Sequence, residues 1–283
     1  MNVKLISVTP NALELLLGTK SARMRGQDPA TMTDEEKRDH WAYMLDTIKS
    51  PFEFVDYIFE IDGVSKNFTH QLVRTRTGAY QQETSRALEI DVFNSTVIPE
   101  AFGKTDEDGD MSELGKLWCD AMADIDAHYK GLIAAGAELQ DARAVCPSNM
   151  GTKILAKFNL RTMSDMAKNR LCARTQGEYQ DVYREMRRLV LEVHPWADSL
   201  LQVACVATGQ CAFPRWGGKV VGSESVQYTS GDGKESFRMR DTYQCPFYRP
   251  WMNLDAKKEE LRQVFWSSAK AEANPVAVNG KSM

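Results

Sequence analysis

The sequence has few of the residues that bind metals or cross-link small secreted proteins. Its 283 residues include four histidines and six cysteines. No C-x-x-C pair occurs, and no histidine stands at zinc-ligand spacing from a cysteine, so we expect no metal site. Six cysteines spread over so long a chain favour free thiols in a reducing compartment over a disulfide framework.

Long apolar runs and an excess of positive charge are also missing. No stretch of 18 apolar residues is present, and the first residues lack the apolar core of a signal peptide. We therefore expect no membrane span and a cytoplasmic location, in the host cytoplasm if the protein is virus-encoded. The net charge of −4 offers no general attraction for polymeric nucleic acid, so anion recognition must depend on a local cluster.

What is present is an ordinary globular composition with clear helical and strand patterns. These patterns predict one α+β domain over residues 1–204. Glycines and prolines from residue 205 to 283 predict a C-terminal extension that is partly irregular, with a disordered tail from Asn274. The predicted strands are 3–8, 52–62 (ended by Gly63) and 154–160. The predicted helices are 10–18 (closed by Gly18), 33–48 (with a capping box at Thr33), 65–72, 112–135, 162–172 and 176–193.

The longest predicted helix, 112–135, carries apolar side chains at helical spacing. We expect this stripe to face the core rather than a cofactor. Its members are Leu114, Leu117, Trp118, Met122, Ile125 and Leu132.

The least ordinary stretch is residues 71–86, which we call the arginine segment. Three arginines, Arg74, Arg76 and Arg86, stand among amides and hydroxyls with few acids. A guanidinium is a planar fork suited to phosphate or to the edge of a base, and Gly78 permits a sharp turn between the arginines. From composition alone, a solvated surface with arginines paired to nearby acids remains an open alternative.

A second group of polar residues lies downstream of the arginine segment. Arg143 precedes Cys146-Pro147, Asn159 and Arg161 end a predicted strand, and Arg170 stands near the end of the next helix. Each arginine taken alone fits a surface salt bridge. Taken together with the arginine segment, they are able to surround a nucleotide phosphate and its base.

Four segments in the same order resemble the flavin-dependent thymidylate synthases of the ThyX type, over roughly residues 1–205. That family has Arg-His-Arg, seven residues, Ser and then Arg two further on. The matching residues here are Arg74-Thr75-Arg76, Thr84 and Arg86. Ser50-Pro51-Phe52-Glu53 is similar to the family's Ser/Thr-Pro-x-Glu-His segment. Residues 141–147 and 169–178 are similar to its Ala-Arg-x-x-Leu-Pro and Arg-Leu-Cys-x-x-Ala-Gln-x-Glu segments.

The resemblance implies helices packed on an antiparallel or mixed sheet and a bound pyrimidine deoxynucleotide monophosphate. Arg170 would be the catalytic residue, which stabilises negative charge on the pyrimidine ring as C5 becomes nucleophilic. The implied substrate-binding residues are Gln71, Arg74, Gln82, Glu83, Thr84, Ser85, Arg86, Arg143 and Arg170, with Gln82 and Glu83 where nucleotide and flavin meet.

The resemblance also implies FAD, held between subunits of a homotetramer. The implied cofactor-binding residues are Ser50, Arg74, Thr75, Arg76, Gln82, Asn159, Arg161 and Asp165. The family's reaction moves a one-carbon unit from methylenetetrahydrofolate to C5 of dUMP, and NADPH restores the reduced flavin. The protein's own task would be positioning and a cationic partner for developing charge, while flavin and folate carry the difficult chemistry.

The sequence departs from the family pattern at several positions. Thr75 and Phe54 stand where the family has histidines, Ala87 replaces a common tyrosine, and Thr84 replaces the serine but keeps the hydroxyl. Two explanations stay open beside standard dTMP synthesis: a reaction altered to dCMP or to hydroxymethyl transfer, and a non-catalytic nucleotide-binding homologue. Asp165, where the family usually has Asn, bears on either the base or the flavin.

Overall fold

The computed structural model describes residues 1–26, 28–47, 49–84, 89–100, 102–103, 105, 109–172, 175–208, 219–229 and 235–244, the last two ranges by their backbone. Predictions for Ser85, Arg86, Ala87 and most of the extension lie outside these ranges. The chain divides into two compact units. The first comprises Met1–Thr162 and Gln176–Leu189, and the second Met163–Thr175 and Val190–Met283. The predicted domain boundary after residue 204 stays a prediction.

A four-stranded sheet organises the first unit. Its strands are β1 (Asn2–Val8), β2 (Asp56–Ser65), β3 (Ala79–Gln82) and β4 (Gly151–Asn159), in the order β1-β2-β4-β3, with every pair antiparallel. Burial alternates along β2 and β4, so that one face carries Tyr57, Phe59, Ile154 and Phe158 without solvent exposure. The predicted α+β class with an antiparallel sheet is confirmed.

Helices cover the described chain between and after these strands. They are α1 (Ala12–Met24), α2 (Asp34–Asp46), α3 (Lys66–Leu72), α4 (Val92–Ser95), α5 (Glu113–Ala134), α6 (Leu139–Ala142), α7 (Leu160–Arg170), α8 (Gly177–Val193) and α9 (Ala204–Thr208). Short 3-10 turns add Pro29–Thr31, Ser50–Phe54, Arg143–Val145 and Pro195–Ser199. Helix packing in the first unit includes Phe68 of α3, whose ring meets Tyr179 of α8 edge-on at 5.0 Å.

The capping box predicted for the second helix is present in α2. Thr33 N donates to Glu36 Oε2 at 2.8 Å, and Glu36 N donates to Thr33 Oγ1 at 3.3 Å. The prediction that Gly18 closes the first helix is wrong, because α1 continues to Met24. Leu16, Leu17 and Ser21 are buried on both sides of Gly18, and this packing outweighs the roughly 1 kcal/mol that a glycine costs inside a helix.

The predicted strand from residue 52 also needs correction at both ends. Ser50–Phe54 forms a 3-10 turn with Pro51 in its first turn, and β2 begins only at Asp56. Gly63 does not end β2. It adopts φ 66° where the register with β4 shifts between Ile61 and Val64, so it forms a bulge within the strand.

The apolar stripe of α5 is buried only in part. Met122 is buried and Ile125 half-buried, as predicted. Leu114, Leu117 and Leu132 are instead 55%, 59% and 38% exposed, so their assignment to the core is wrong. The buried face of α5 contains Gly115, Met122, Asp126 and Tyr129, and is therefore offset from the apolar stripe.

The described part of the extension contains two strands. Strands β5 (Lys219–Thr229) and β6 (Glu235–Gln244) pair as an antiparallel hairpin. Within the described ranges, no helix is both long and apolar enough to span a membrane.

Candidate functional site

Helix α3 leads into the arginine segment, and its first turn is fixed by a buried serine. Ser65 is fully buried, and its Oγ accepts a hydrogen bond from Phe68 N at 3.1 Å. Ser65 N and Oγ both donate to the carboxylate of Glu178 on α8, at 2.6 and 2.5 Å. Glu178, the last residue of the fourth motif segment, thus holds α3 in place.

The loop after α3 folds over Tyr80. The Tyr80 hydroxyl donates to the Thr75 carbonyl at 2.7 Å and lies 3.0 Å from the Leu72 carbonyl oxygen. Burial, with a smaller contribution from Tyr179, raises the pKa of Tyr80 to about 12, so the hydroxyl remains a donor at neutral pH. Arg74 and Arg76 are exposed on this loop, and Thr75 is half-buried.

Strand β3 fixes the middle of the arginine segment. Gln82 Nε2 donates to Thr69 Oγ1 at 3.1 Å and to Thr152 Oγ1 at 3.3 Å. Glu83 makes two hydrogen bonds to the backbone of Lys153. The Glu83 N donates to Lys153 O at 2.9 Å, and the side-chain Oε2 accepts from Lys153 N at 3.3 Å. Both predicted residues are therefore ordered by the sheet.

Two cavities in the first unit adjoin this segment. The smaller, of about 190 Å³, is lined by Glu83, Thr84, Glu89 and Asp91 among others, and we call it the carboxylate cavity. The larger, of about 510 Å³, is lined by Arg143 together with Lys66, His70, Ile90, Gln140, Ala144, Cys146, Pro147, Ser148 and Met150, and we call it the basic cavity. Lys66, Ile90 and Met150 line both cavities, so the two are neighbours that share a wall, and we call the pair the groove.

This groove brings together predicted residues from two separate motif segments. Glu83 and Thr84 come from the arginine segment and Arg143 from the third segment. Gln71, Arg74 and Gln82 do not line either cavity as described. Gln71 Nε2 donates instead to Gln176 Oε1 at 3.0 Å.

Sequence reasoning missed several residues of the basic cavity, among them Lys66 and His70. These two stand one helical turn apart, just before Gln71, and helical spacing alone would have placed them on one face of α3. The charges of Lys66 and Arg143 both reach Cys146. Burial raises the pKa of the Cys146 thiol, and the two cations partly offset that rise.

Two of the predicted flavin-side residues, Asn159 and Arg161, lie where β4 meets α7, whereas Ser50 is in the 3-10 turn before β2. Asn159 Oδ1 accepts from Thr162 N at 2.8 Å, and Arg161 Nη1 donates to Glu53 Oε1 at 2.5 Å. Thr162 Oγ1 donates to Thr77 Oγ1 at 2.9 Å, which ties the loop of Arg74 and Arg76 to this helix. Arg161 is thus paired with Glu53, while Arg74 and Arg76 are exposed on the loop after α3.

Asp165 and Arg170 belong to the second unit. Both lie on α7, where Asp165 is exposed and accepts a hydrogen bond from Lys168 Nζ at 2.6 Å. Arg170 is half-buried at the last position of the helix. Thr175 Oγ1 donates to the carbonyl oxygen of Asn169 at 2.6 Å.

Comparison with known proteins gives one consistent family. The family model described as thymidylate synthase complementing protein matches residues 4–196. Relatives called flavin-dependent thymidylate synthase include those of Clostridium tetani (29% identity over 229 residues, 75% of this chain and 90% of the relative) and Sulfurisphaera tokodaii (32% over 204 residues, 69% and 75%). The relative from Pyrococcus furiosus is 33% identical over 172 residues, 58% of this chain and 67% of its own.

The fold is also shared with a solved structure. The UMP/dUMP methylase PolB from Streptomyces cacaoi, bound with 5-Br dUMP, aligns with a TM-score of 0.58 at 19% identity, over 70% of this chain and 93% of PolB. At this identity the likeness speaks for the fold alone. The family model and the relatives carry the assignment: the chain belongs to the thymidylate synthase complementing protein family, as a divergent, methyltransferase-like enzyme among the flavin-dependent thymidylate synthases.

Proposed function

We propose that this enzyme transfers a one-carbon unit from methylenetetrahydrofolate to C5 of dUMP and so forms dTMP, with FAD as cofactor and NADPH as reductant. The observation that carries the proposal is the convergence of two motif segments on one groove. Glu83 and Thr84 line one part of it and Arg143 the next, although some 60 residues separate them along the chain. Its combined volume falls in the range of about 300–1,000 Å³ that is typical of small-molecule sites.

The nucleotide would bind through its phosphate, sugar and base to different parts of this groove. Arg143 supplies a half-buried guanidinium for an anionic group, and Thr84 supplies a hydroxyl. Gln71, Arg74, Ser85 and Arg86 are further nucleotide-binding residues in this proposal. Gln82, fixed by its two threonine contacts, presents a preorganised amide at the edge of β3.

The residues that would hold FAD come from several elements, among them the loop after α3 and helix α7. Arg74, Arg76 and Arg161 offer cationic forks for its diphosphate, and Ser50, Thr75, Gln82, Asn159 and Asp165 add polar contacts. When bound, FAD supplies the reducing equivalents that the one-carbon transfer needs. We expect a homotetramer in which these residues come from more than one subunit.

Arg170 is the residue we assign to catalysis. C5 becomes nucleophilic when negative charge develops on the pyrimidine ring, and a guanidinium beside the ring lowers the free energy of that state. Arg170 is half-buried at the last position of α7.

The test is a product assay on the purified protein. We expect a yellow protein with flavin absorbance, which converts dUMP to a product heavier by one methylene when methylenetetrahydrofolate and NADPH are present. The product is weighed by mass spectrometry, and reactions without folate or without NADPH serve as controls. A colourless protein that takes up no added FAD, or a flavoprotein that leaves dUMP unchanged, would contradict the proposal.

A second candidate reaction is favoured by the carboxylate cavity. Glu83, Glu89 and Asp91 line it together, and carboxylates accept hydrogen bonds from an amino group such as N4 of cytosine. Thr75 and Phe54, in place of the family's histidines, also fit an altered reaction. The same assay with dCMP separates the candidates: turnover of dCMP alone, or a product heavier by a further oxygen, would favour dCMP or hydroxymethyl transfer.

A further inference from the structure

Two residues of α3 lie just before the arginine segment, and none of the four motif segments includes them. Lys66 and His70 lie one turn apart on α3, and both line the basic cavity with Arg143. Lysine and arginine are permanent cations near neutral pH, and an imidazole offers an N–H donor in either protonation state. Three donors suited to one anion therefore surround a single space.

The basic cavity and the carboxylate cavity differ in the charge of the residues that line them. The residues that line the basic cavity include no aspartate or glutamate in the described part of the chain. Three carboxylates line the carboxylate cavity, which shares one wall with it. A ligand that carries an anion at one end and hydrogen-bond donors at the other matches this polarity.

The basic cavity is held together by backbone hydrogen bonds across its walls. Lys66 N donates to Met150 O at 2.8 Å, and Asn67 N donates to Ser148 O at 2.9 Å. The buried cap Ser65, bonded to Glu178, fixes the turn from which Lys66 projects. These bonds hold the backbone of α3 against the segment that follows Arg143, so the side chains of both segments project from a fixed base.

We propose that Lys66 and His70 are further substrate-binding residues, which together with Arg143 bind the dianionic phosphate of the nucleotide and select the nucleotide over its nucleoside. The identity of the ligand as a pyrimidine nucleotide rests on the proposed function. The site itself rests on the cavity, its charge and its fixed walls. Lys66, His70 and Arg143 all line this one cavity.

The experiment compares binding of dUMP and deoxyuridine, which differ only in the phosphate, by calorimetry. In Lys66→Met we expect the Kd for dUMP to rise about tenfold, and in His70→Asn by a smaller factor, because charge-assisted hydrogen bonds are lost. Binding of deoxyuridine should not change. Lys116→Met and His128→Asn remove the same groups from exposed positions on α5 and should leave both affinities unchanged.

Controls separate this proposal from folding defects and from the proposed function. Melting curves establish that each variant folds, and Lys66→Arg, which keeps the charge, should recover most of the dUMP affinity. If Lys66→Met and His70→Asn both fold and both bind dUMP as tightly as wild type does, the proposal is overturned, even if dUMP turnover is intact. A phosphate-dependent affinity that these variants lose would support it, even if dUMP is never converted.

Discussion

His194 shows at the scale of one residue how burial sets a charge. Its side chain is buried in the second unit, with its ring 4.9 Å from that of Trp196. Removal from water lowers the pKa of His194 to about 4, so the imidazole stays neutral in the folded protein at all ordinary pH values. In the unfolded chain the same group takes up a proton near pH 6.5.

This difference predicts acid sensitivity. Because the folded pKa is depressed, the stability from neutral His194 is complete above about pH 6.5 and is lost as the pH falls toward 4. Between pH 7.5 and pH 5 the free energy of unfolding should fall by about 2 kcal/mol from this group. Denaturant titrations of wild type and His194→Phe at both pH values measure it, since the variant should lack this part of the fall.

His128→Asn is the matched control for that comparison. His128 is exposed on α5, so this variant removes an imidazole without removing a buried side chain, and it measures the effect of losing a surface histidine. An identical fall in His194→Phe and wild type would contradict the assignment to His194.

Gly78 is important for packing because it has no side chain, rather than for its backbone conformation. A Cβ at this position would lie 2.5 Å from the Tyr80 hydroxyl oxygen and 2.6 Å from Phe158 Cε1. Gly78→Ala should therefore displace Tyr80, weaken its bond to Thr75, and lower the free energy of unfolding by about 1–3 kcal/mol. Thermal melting measures the loss, and we expect a raised KM because Arg74 and Arg76 lie on the same loop.

Gly131→Ala gives the opposite expectation within the same protein. Gly131 lies inside α5, and apart from its own helix no atom of the described residues is within 4 Å of the added Cβ, so alanine should stabilise the helix by up to about 1 kcal/mol. If Gly78→Ala lowers the free energy of unfolding no more than Gly131→Ala does, the close packing of the loop against Tyr80 does not stabilise the loop.

At the scale of helices and strands, the sequence predicted features that depend on neighbouring residues but not those that depend on tertiary packing. The capping box of α2 follows from Thr33 and Glu36 alone, because a cap involves residues within one turn. The predictions that Gly18 ends a helix and Gly63 ends a strand were wrong. A glycine ends such an element only where helix packing or strand pairing also stops, and both elements continue past their glycine. The exposed Leu114 and Leu117 show that periodicity finds an apolar face without saying what covers it.

The candidate site divides in the same way. Arg143, Glu83 and Thr84 were predicted because they lie in motif segments, and the structure brings them to one groove. Lys66 and His70 were not, because the basic cavity forms between α3 and residues 140–150, some 70 positions later. The meeting of α3 with that segment depends on the sheet register, which no local pattern contains.

At the scale of the whole molecule, the expected assembly is directly measurable. A homotetramer would have about four times the 31.9 kDa mass of one chain. Light scattering coupled to size exclusion gives that mass, and flavin absorbance of the same peak gives the FAD content. A monomeric peak that retains FAD would contradict the proposal that cofactor residues come from several subunits.

The wall that the two cavities share makes Lys66 and His70 informative in different ways. Lys66 lines both cavities, so a substitution of Lys66 alters the surroundings of both ends of a ligand that spans them. His70 lines the basic cavity, so a substitution of His70 alters the surroundings of the anionic end. A comparison of the two variants therefore locates the end of the ligand at which affinity is lost.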